Sequence, residues 1–166
     1  MVKAIWTGTL SSVVGGILLA LLFFGWNDFI YQRNNLTGAW EFEYTVEHTT
    51  HDPFQDMKLR YRVLLVQEGK TITGTGEKIG EWTPAHGVVE YLPEKRAHIR
   101  VEGTVDYRFF SKDVVHLQYT EEGRVRESST IQELSVISER DLRGDVYSTA
   151  ANAQGTAAWE RKQPSS

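Results

Sequence analysis

From residue 38 onward the chain alternates apolar and polar positions with a period of two. Trp40, Phe42, Tyr44 and Val46 are separated by Glu41, Glu43, Thr45 and Glu47, the pattern of a strand with one buried face. The rhythm returns in "MKLRYRVLLVQEG", where Leu59, Tyr61, Val63 and Leu65 share one side and Lys58, Arg60 and Arg62 the other. Gly69-Lys70 then supplies a tight turn into "TITGTGEKIG". Further strands are predicted in "RAHIRVEGTVDYRFF", "DVVHLQYTEEG", "RVRESSTIQELSVI", "DLRGDVYST" and "GTAAWER". Connections fall at Glu122-Gly123 and Glu139-Arg140-Asp141, and residues 82–95 form a longer link with room for a short extra strand. Eight strands joined by turns, with no amphipathic helix among them, predict an all-β fold. An up-and-down barrel satisfies that pattern better than a sandwich, because closure removes the exposed edges.

The first thirty residues follow another rule. Residues 4–26, "AIWTGTLSSVVGGILLALLFFGW", contain no charged side chain. As a helix such a stretch would extend about 34 Å, enough for a hydrocarbon layer of roughly 30 Å. Trp6 and Trp26 lie near its ends, where indoles favour the membrane interface. An uncleaved single-pass anchor is expected over residues 1–30, ahead of a barrel domain over 34–162. A cleaved signal peptide fits less well, because the apolar run is long, Lys3 is its only basic leader and no A-x-A-like site follows. Gly8, Ser12, Gly16 and Ala20 recur every four residues, with Ser11 and Gly15 alongside. Small residues at that spacing let two helices approach closely, so self-association through this face is expected. Such residues are also common in any membrane helix.

Composition narrows the chemistry. There is no cysteine among the 166 residues, which excludes disulfides, thiol catalysis and thiolate metal sites. With Lys3 the only charge before Asp28, residues 28–166 hold 17 of the 18 basic groups and all 22 acidic ones, a net −5. Duplex nucleic acid is not an expected partner of such a surface. His48, His51 and Asp52 sit together in "HTTHD", but no further ligand stands at motif spacing, and no metal or other cofactor is expected. A nucleophile elbow, a phosphate loop and a paired-carboxylate signature are all missing, so no catalytic residue is proposed and no enzymatic activity is expected. Asn35-Leu36-Thr37 has the form of a glycosylation sequon, relevant only to a secreted eukaryotic domain.

Strand register points to candidate binding residues. Counting back by two from Leu134 and Val136 places Thr130, Ser128 and Arg126 on the inward face. A guanidinium and two hydroxyls inside a barrel are costly without a partner, and an anionic ligand would provide one. A bulge would instead send them to solvent. Tyr44, Tyr61 and Tyr119 also face inward, either to stack on a ligand ring or as core residues with a satisfied hydroxyl. "STAANAQG" places Ser148 and Asn152 in a segment of small residues, where a ligand or another backbone can approach closely.

The motif "GAW" at residues 38–40 resembles the lipocalin-like barrels, whose tryptophan plugs the closed end. A fuller resemblance is carried by "LTGAWEFEY", "LVQEGKTITGTGEK" and "LRGDVYSTAANAQGTAAWER", which together span most of residues 36–161. With an anchor before a small barrel, these resemble the SMODS-associated beta-strand-rich transmembrane effectors of bacterial anti-phage signalling, the CBASS systems and their relatives. That family is described with two spans, whereas one is found here. The resemblance implies a cytosolic barrel at the bacterial inner membrane that binds a cyclic di- or oligonucleotide and controls membrane permeabilisation. On that expectation the chain is a non-enzymatic sensor–effector, a homo-oligomer through its anchor helix in the lipid bilayer. The short link between span and barrel would pass barrel packing on to helix packing. Whether ligand triggers or restrains association stays open. A membrane-tethered lipocalin-like carrier or envelope protein facing the periplasm is the alternative.

Overall fold

A computed structural model describes residues 15–23, 35–108, 110–122 and 127–163. The chain divides into two units, Met1–Asn34 and Asn35–Ser166. The described part of the first is helical over residues 15–23 and exposes Ile17, Leu18, Leu19, Leu21, Leu22 and Phe23. Its length is only about 14 Å, and among the described residues no helix is long and apolar enough to cross a membrane. The rest of the expected span over residues 4–26, with Gly8 and Ser12, lies outside the described residues. Gly16 and Ala20 fall in the helix.

The second unit is a closed antiparallel barrel. Its strands are β1 (Gly38–His48), β2 (Lys58–Glu68), β3 (Thr71–Thr83), β4 (Gly87–Glu90), β5 (His98–Asp106), β6 (Val114–Glu122), β7 (Glu127–Ser138), β8 (Asp141–Ser148) and β9 (Ala153–Arg161). Eight of them close the wall, each pairing with its neighbour in chain order, with β9 returning to β1. The ninth, β4, adds to the outer part of β3 through Gly80–Thr83, after β3 has left β5 at Glu77. It is the extra strand for which residues 82–95 had room.

The alternation places the core as expected. Trp40, Phe42, Tyr44 and Val46 are all buried, while Glu41, Glu43 and Glu47 lie on the opposite face of β1. On β7, Leu134, Gln132 and Thr130 are buried in steps of two, so the inward register of Thr130 and Ser128 holds. Arg126 lies outside the described residues. The wall bends sharply at close backbone approaches. A Cβ on Gly155 of β9 would stand 1.8 Å from the Thr45 carbonyl oxygen, beside the register shift between Val46 and His48. Only a glycine admits that contact.

The two ends of the barrel differ. At one end the chain enters through Leu36, and the hairpins β2–β3, β5–β6 and β7–β8 turn. Trp40 is fully buried there and donates its indole N–H to the Leu36 carbonyl at 2.8 Å. Arg161 lies 5.4 Å over the Trp40 ring and donates to the carbonyls of Asn35 and Thr37. Gln67 joins the same lid, accepting from Leu36 N–H and donating to Tyr107. This end is plugged.

Candidate functional site

The other end holds a cavity of about 220 Å³. Tyr44, Tyr61, Tyr119, Ser128, Thr130 and Ser148 line it, together with Phe54, Met57, Leu59, Lys78, Glu81, Glu121 and the alanines flanking the β8–β9 turn. Strand pleat explains the convergence. Tyr119 opposes Thr130, and Thr130 opposes Ser148, in consecutive antiparallel pairs. Tyr44 and Tyr61 come from β1 and β2 by the same inward alternation.

Beneath the cavity lies an aromatic floor. Phe42 is stacked between Tyr61 at 4.6 Å and Trp159 at 4.1 Å. Tyr119 is tilted against both Phe42 and Tyr61, at 5.7 and 5.5 Å. All three inward tyrosines are core residues as well as lining, and the rings of Tyr61 and Tyr119 are fixed by aromatic packing before any ligand arrives.

The hydroxyls form a belt. Thr130 donates to Ser148 at 2.8 Å, and the Ser148 oxygen also accepts from the Ala150 N–H at 3.3 Å. Tyr61 donates to Glu121 Oε2 at 2.8 Å. Burial pushes the Tyr61 phenol well above its ordinary range, and Tyr119 and the Glu121 carboxylate push it further. Burial also raises Tyr119, against a partial offset from hydrogen bonding with Thr130 and Tyr61. Tyr44 is pushed up to about 12 by burial alone. Its hydroxyl is buried and lacks a hydrogen-bond partner among the described residues, an arrangement that costs free energy unless something fills the cavity. Deeper in the barrel, Gln132 accepts from the Trp159 indole at 2.8 Å and leaves its own NH₂ group unpartnered.

Charge at the mouth is unevenly balanced. Lys78 pairs with Glu81 at 2.8 Å and lies 5.4 Å over the Tyr91 ring. Burial raises the Glu81 carboxyl, but hydrogen bonds from Lys78 and Tyr91 and the Lys78 charge outweigh it and hold the group below its ordinary range. Glu121 has no cationic partner among the described residues. Among the described residues the lining thus holds one neutralised pair and one carboxylate without a cation.

The β8–β9 turn closes one side. Ala151 and Asn152 are both left-handed, at φ 58° and 47°. This is a costly state for alanine and a tolerated one for asparagine. Three hydrogen bonds to the Ala151 carbonyl, from Thr49 Oγ1, Thr50 Oγ1 and Thr50 N–H, hold the turn. The result turns Asn152 to solvent, and Ala150 and Ala153 line the cavity in its place. Among the described residues no cluster of three His, Asp or Glu side chains is placed to hold a metal.

Sequence reasoning missed Glu121, Lys78 and Glu81. Glu121 stands two residues beyond Tyr119 and shares its face, so the same alternation could have found it. Lys78 continues the inward steps of Ile72, Gly74 and Gly76 and could have been counted too, whereas Glu81 lies beyond the register shift at Arg60/Tyr61, which breaks the count.

No family model matches the chain, and none of the curated proteins does. Similar solved structures are designed barrels. A redesigned beta barrel, mFAP0, bound to DFHBI matches with a TM-score of 0.52 and 12% identity, over 76% of this chain and 98% of that one. EF1p2_mFAP2b bound to DFHBI matches at 0.53 and 13%, over 77% and 94%. A second redesigned barrel, mFAP1, also bound to DFHBI, matches at 0.51 and 9%, over 76% and 94%. At such identities the likeness is one of fold alone.

Proposed function

We propose that the chain is a non-enzymatic, membrane-anchored sensor whose barrel receives a planar ring of a small ligand, the base of a cyclic di- or oligonucleotide. The observation that carries this reading is the convergence of six inward residues from five strands on one partly polar cavity with an unpartnered buried hydroxyl. A volume of about 220 Å³ lies below the usual range for drug-sized ligands, roughly 300–1,000 Å³. A single base is admitted, and the phosphates stay at the mouth. That division also suits the charge, since a buried phosphate would meet Glu121 and Glu81 with only Lys78 in compensation.

Membrane attachment is the second half of the proposal. Its support is the uncharged run over residues 4–26 and the helix at 15–23, whose apolar side chains are exposed on all sides. Anchors associating through Gly8, Ser12, Gly16 and Ala20 in the bacterial inner membrane would make a homo-oligomer that disrupts the bilayer under control of a cytosolic barrel, as in anti-phage defence.

The test is calorimetric titration of the purified full chain with cyclic di-GMP, cyclic di-AMP and cyclic di-UMP, beside a Ser128→Trp variant that fills the mouth. Binding by the parent and its loss in the folded variant are expected. Absence of binding to every cyclic nucleotide would remove the sensor reading. The small, acid-rich cavity would then favour a lipocalin-like carrier of an uncharged or basic ring.

A further inference from the structure

The hydrogen-bonding capacity left over in the cavity combines several hydroxyls with one charged acceptor. Thr130 spends its proton on Ser148, and Tyr61 spends its own on Glu121. The strongest acceptor remaining is the carboxylate of Glu121, whose Oε1 takes no hydrogen bond from the described residues. Lys78, the one cation of the lining among the described residues, is already committed to Glu81. A half-buried carboxylate without a cation strengthens any N–H donor placed against it and repels any lone pair.

A second observation points independently to a ligand. The Tyr44 hydroxyl lines the same cavity, on a residue only 1% exposed, and has no partner. From the far strand β1 it can donate to a ligand or accept from one, while β6 supplies the charged acceptor. The tilted aromatic rings of Tyr61 and Tyr119 offer a ring of the occupant a surface to pack on.

We infer that this cavity selects a planar ring bearing two adjacent N–H donors, an amidine-like edge received by Glu121, and that it excludes an anionic group from its interior. The inference deepens the sensor reading and rests on it for the identity of the natural ligand. Two sources share the chemistry. A free aryl amidine has the edge as a cation. Among the common bases guanine alone has it, its ring N–H standing beside its amino group, whereas adenine and cytosine set an amino group beside a bare nitrogen lone pair that a carboxylate repels.

The experiment uses the full chain with benzamidine, benzoate, cyclic di-GMP and cyclic di-AMP, against wild type and Glu121→Gln. The glutamine keeps an oxygen for Tyr61, so the barrel stays folded, and melting of the variant checks this. Benzamidine is expected to bind and benzoate not, with a loss of tenfold or more in the variant. Cyclic di-GMP is expected to bind at least tenfold more tightly than cyclic di-AMP, and the variant to erase that preference. Equal binding of benzoate and benzamidine, or an affinity untouched by Glu121→Gln, overturns the inference. Cyclic dinucleotides binding without regard to base would overturn it while leaving the sensor reading intact. Glu121-dependent binding of benzamidine without any cyclic dinucleotide would sink the sensor reading and leave the inference standing. Failure of every probe to bind overturns both.

Discussion

The plugged end and the cavity end are built from the same eight strands by the same alternation, yet their polar groups are treated in opposite ways. Around Trp40 the polar atoms are paired: the indole with Leu36, Arg161 with the carbonyls of Asn35 and Thr37, and Gln67 with Leu36 and Tyr107. Around Tyr44, among the described residues, a hydroxyl is orphaned, a carboxylate lacks a cation, and the β8–β9 turn is left-handed at an alanine. A closed barrel needs one satisfied end to fold, and that leaves the other free to keep unmet valences for a ligand. Stability and binding are therefore expected to respond separately to substitution.

The strongest way to break this comparison is Trp40→Ala. The side chain is fully buried and packs edge-on against Trp159, so truncation is expected to cost about 3–5 kcal/mol. Urea denaturation of the full chain measures it; a loss no larger than that of a lining residue such as Ser128→Ala would mean the plug is not the stabilising end.

Alkali attacks the opposite end. Tyr44 is raised to about 12 in the folded barrel, from an ordinary 10, by burial. A group whose folded pKa is raised contributes stability in full below its unfolded pKa, and that contribution is lost as pH climbs through the folded one. This contribution should be flat below pH 10 and fall between pH 10 and 12, by about 2–3 kcal/mol for Tyr44 alone. Tyr61 and Tyr119, also raised, steepen the fall. Denaturation midpoints against pH, with phenolate absorbance followed in parallel, report it. Loss of stability beginning below pH 9 would place the weak point elsewhere.

Arg161→Ala removes the clasp over Trp40 and its bonds to the entering chain, at a cost of about 1–2 kcal/mol. Arg161→Lys should recover little, since an ammonium cannot reproduce the fork. The smallest effect is expected from Tyr44→Phe, which deletes the orphaned hydroxyl. Stability should be unchanged or rise by up to about 1 kcal/mol, while benzamidine binding weakens. A clear loss of stability would show that the hydroxyl has a structural partner after all.

Much of this molecule was legible along the chain because a strand's period of two carries through every pair it joins. Once Leu134 is inside, Thr130 and Ser128 must be, and the three tyrosines follow by the same count. That local rule determined the all-β class, the strand order and most of the cavity's hydroxyls and rings. The tertiary structure alone decided the rest. Glu81 enters the lining because a register shift at Arg60/Tyr61 resets the alternation of β3. Asn152 leaves it because three hydrogen bonds from the β1–β2 loop hold Ala151 left-handed. Whether Glu121 meets a cation also depends on strands far apart in sequence, and no period encodes that distance. Alternation fixes which face a side chain takes, whereas bulges and long-range carbonyl contacts fix which side chains meet.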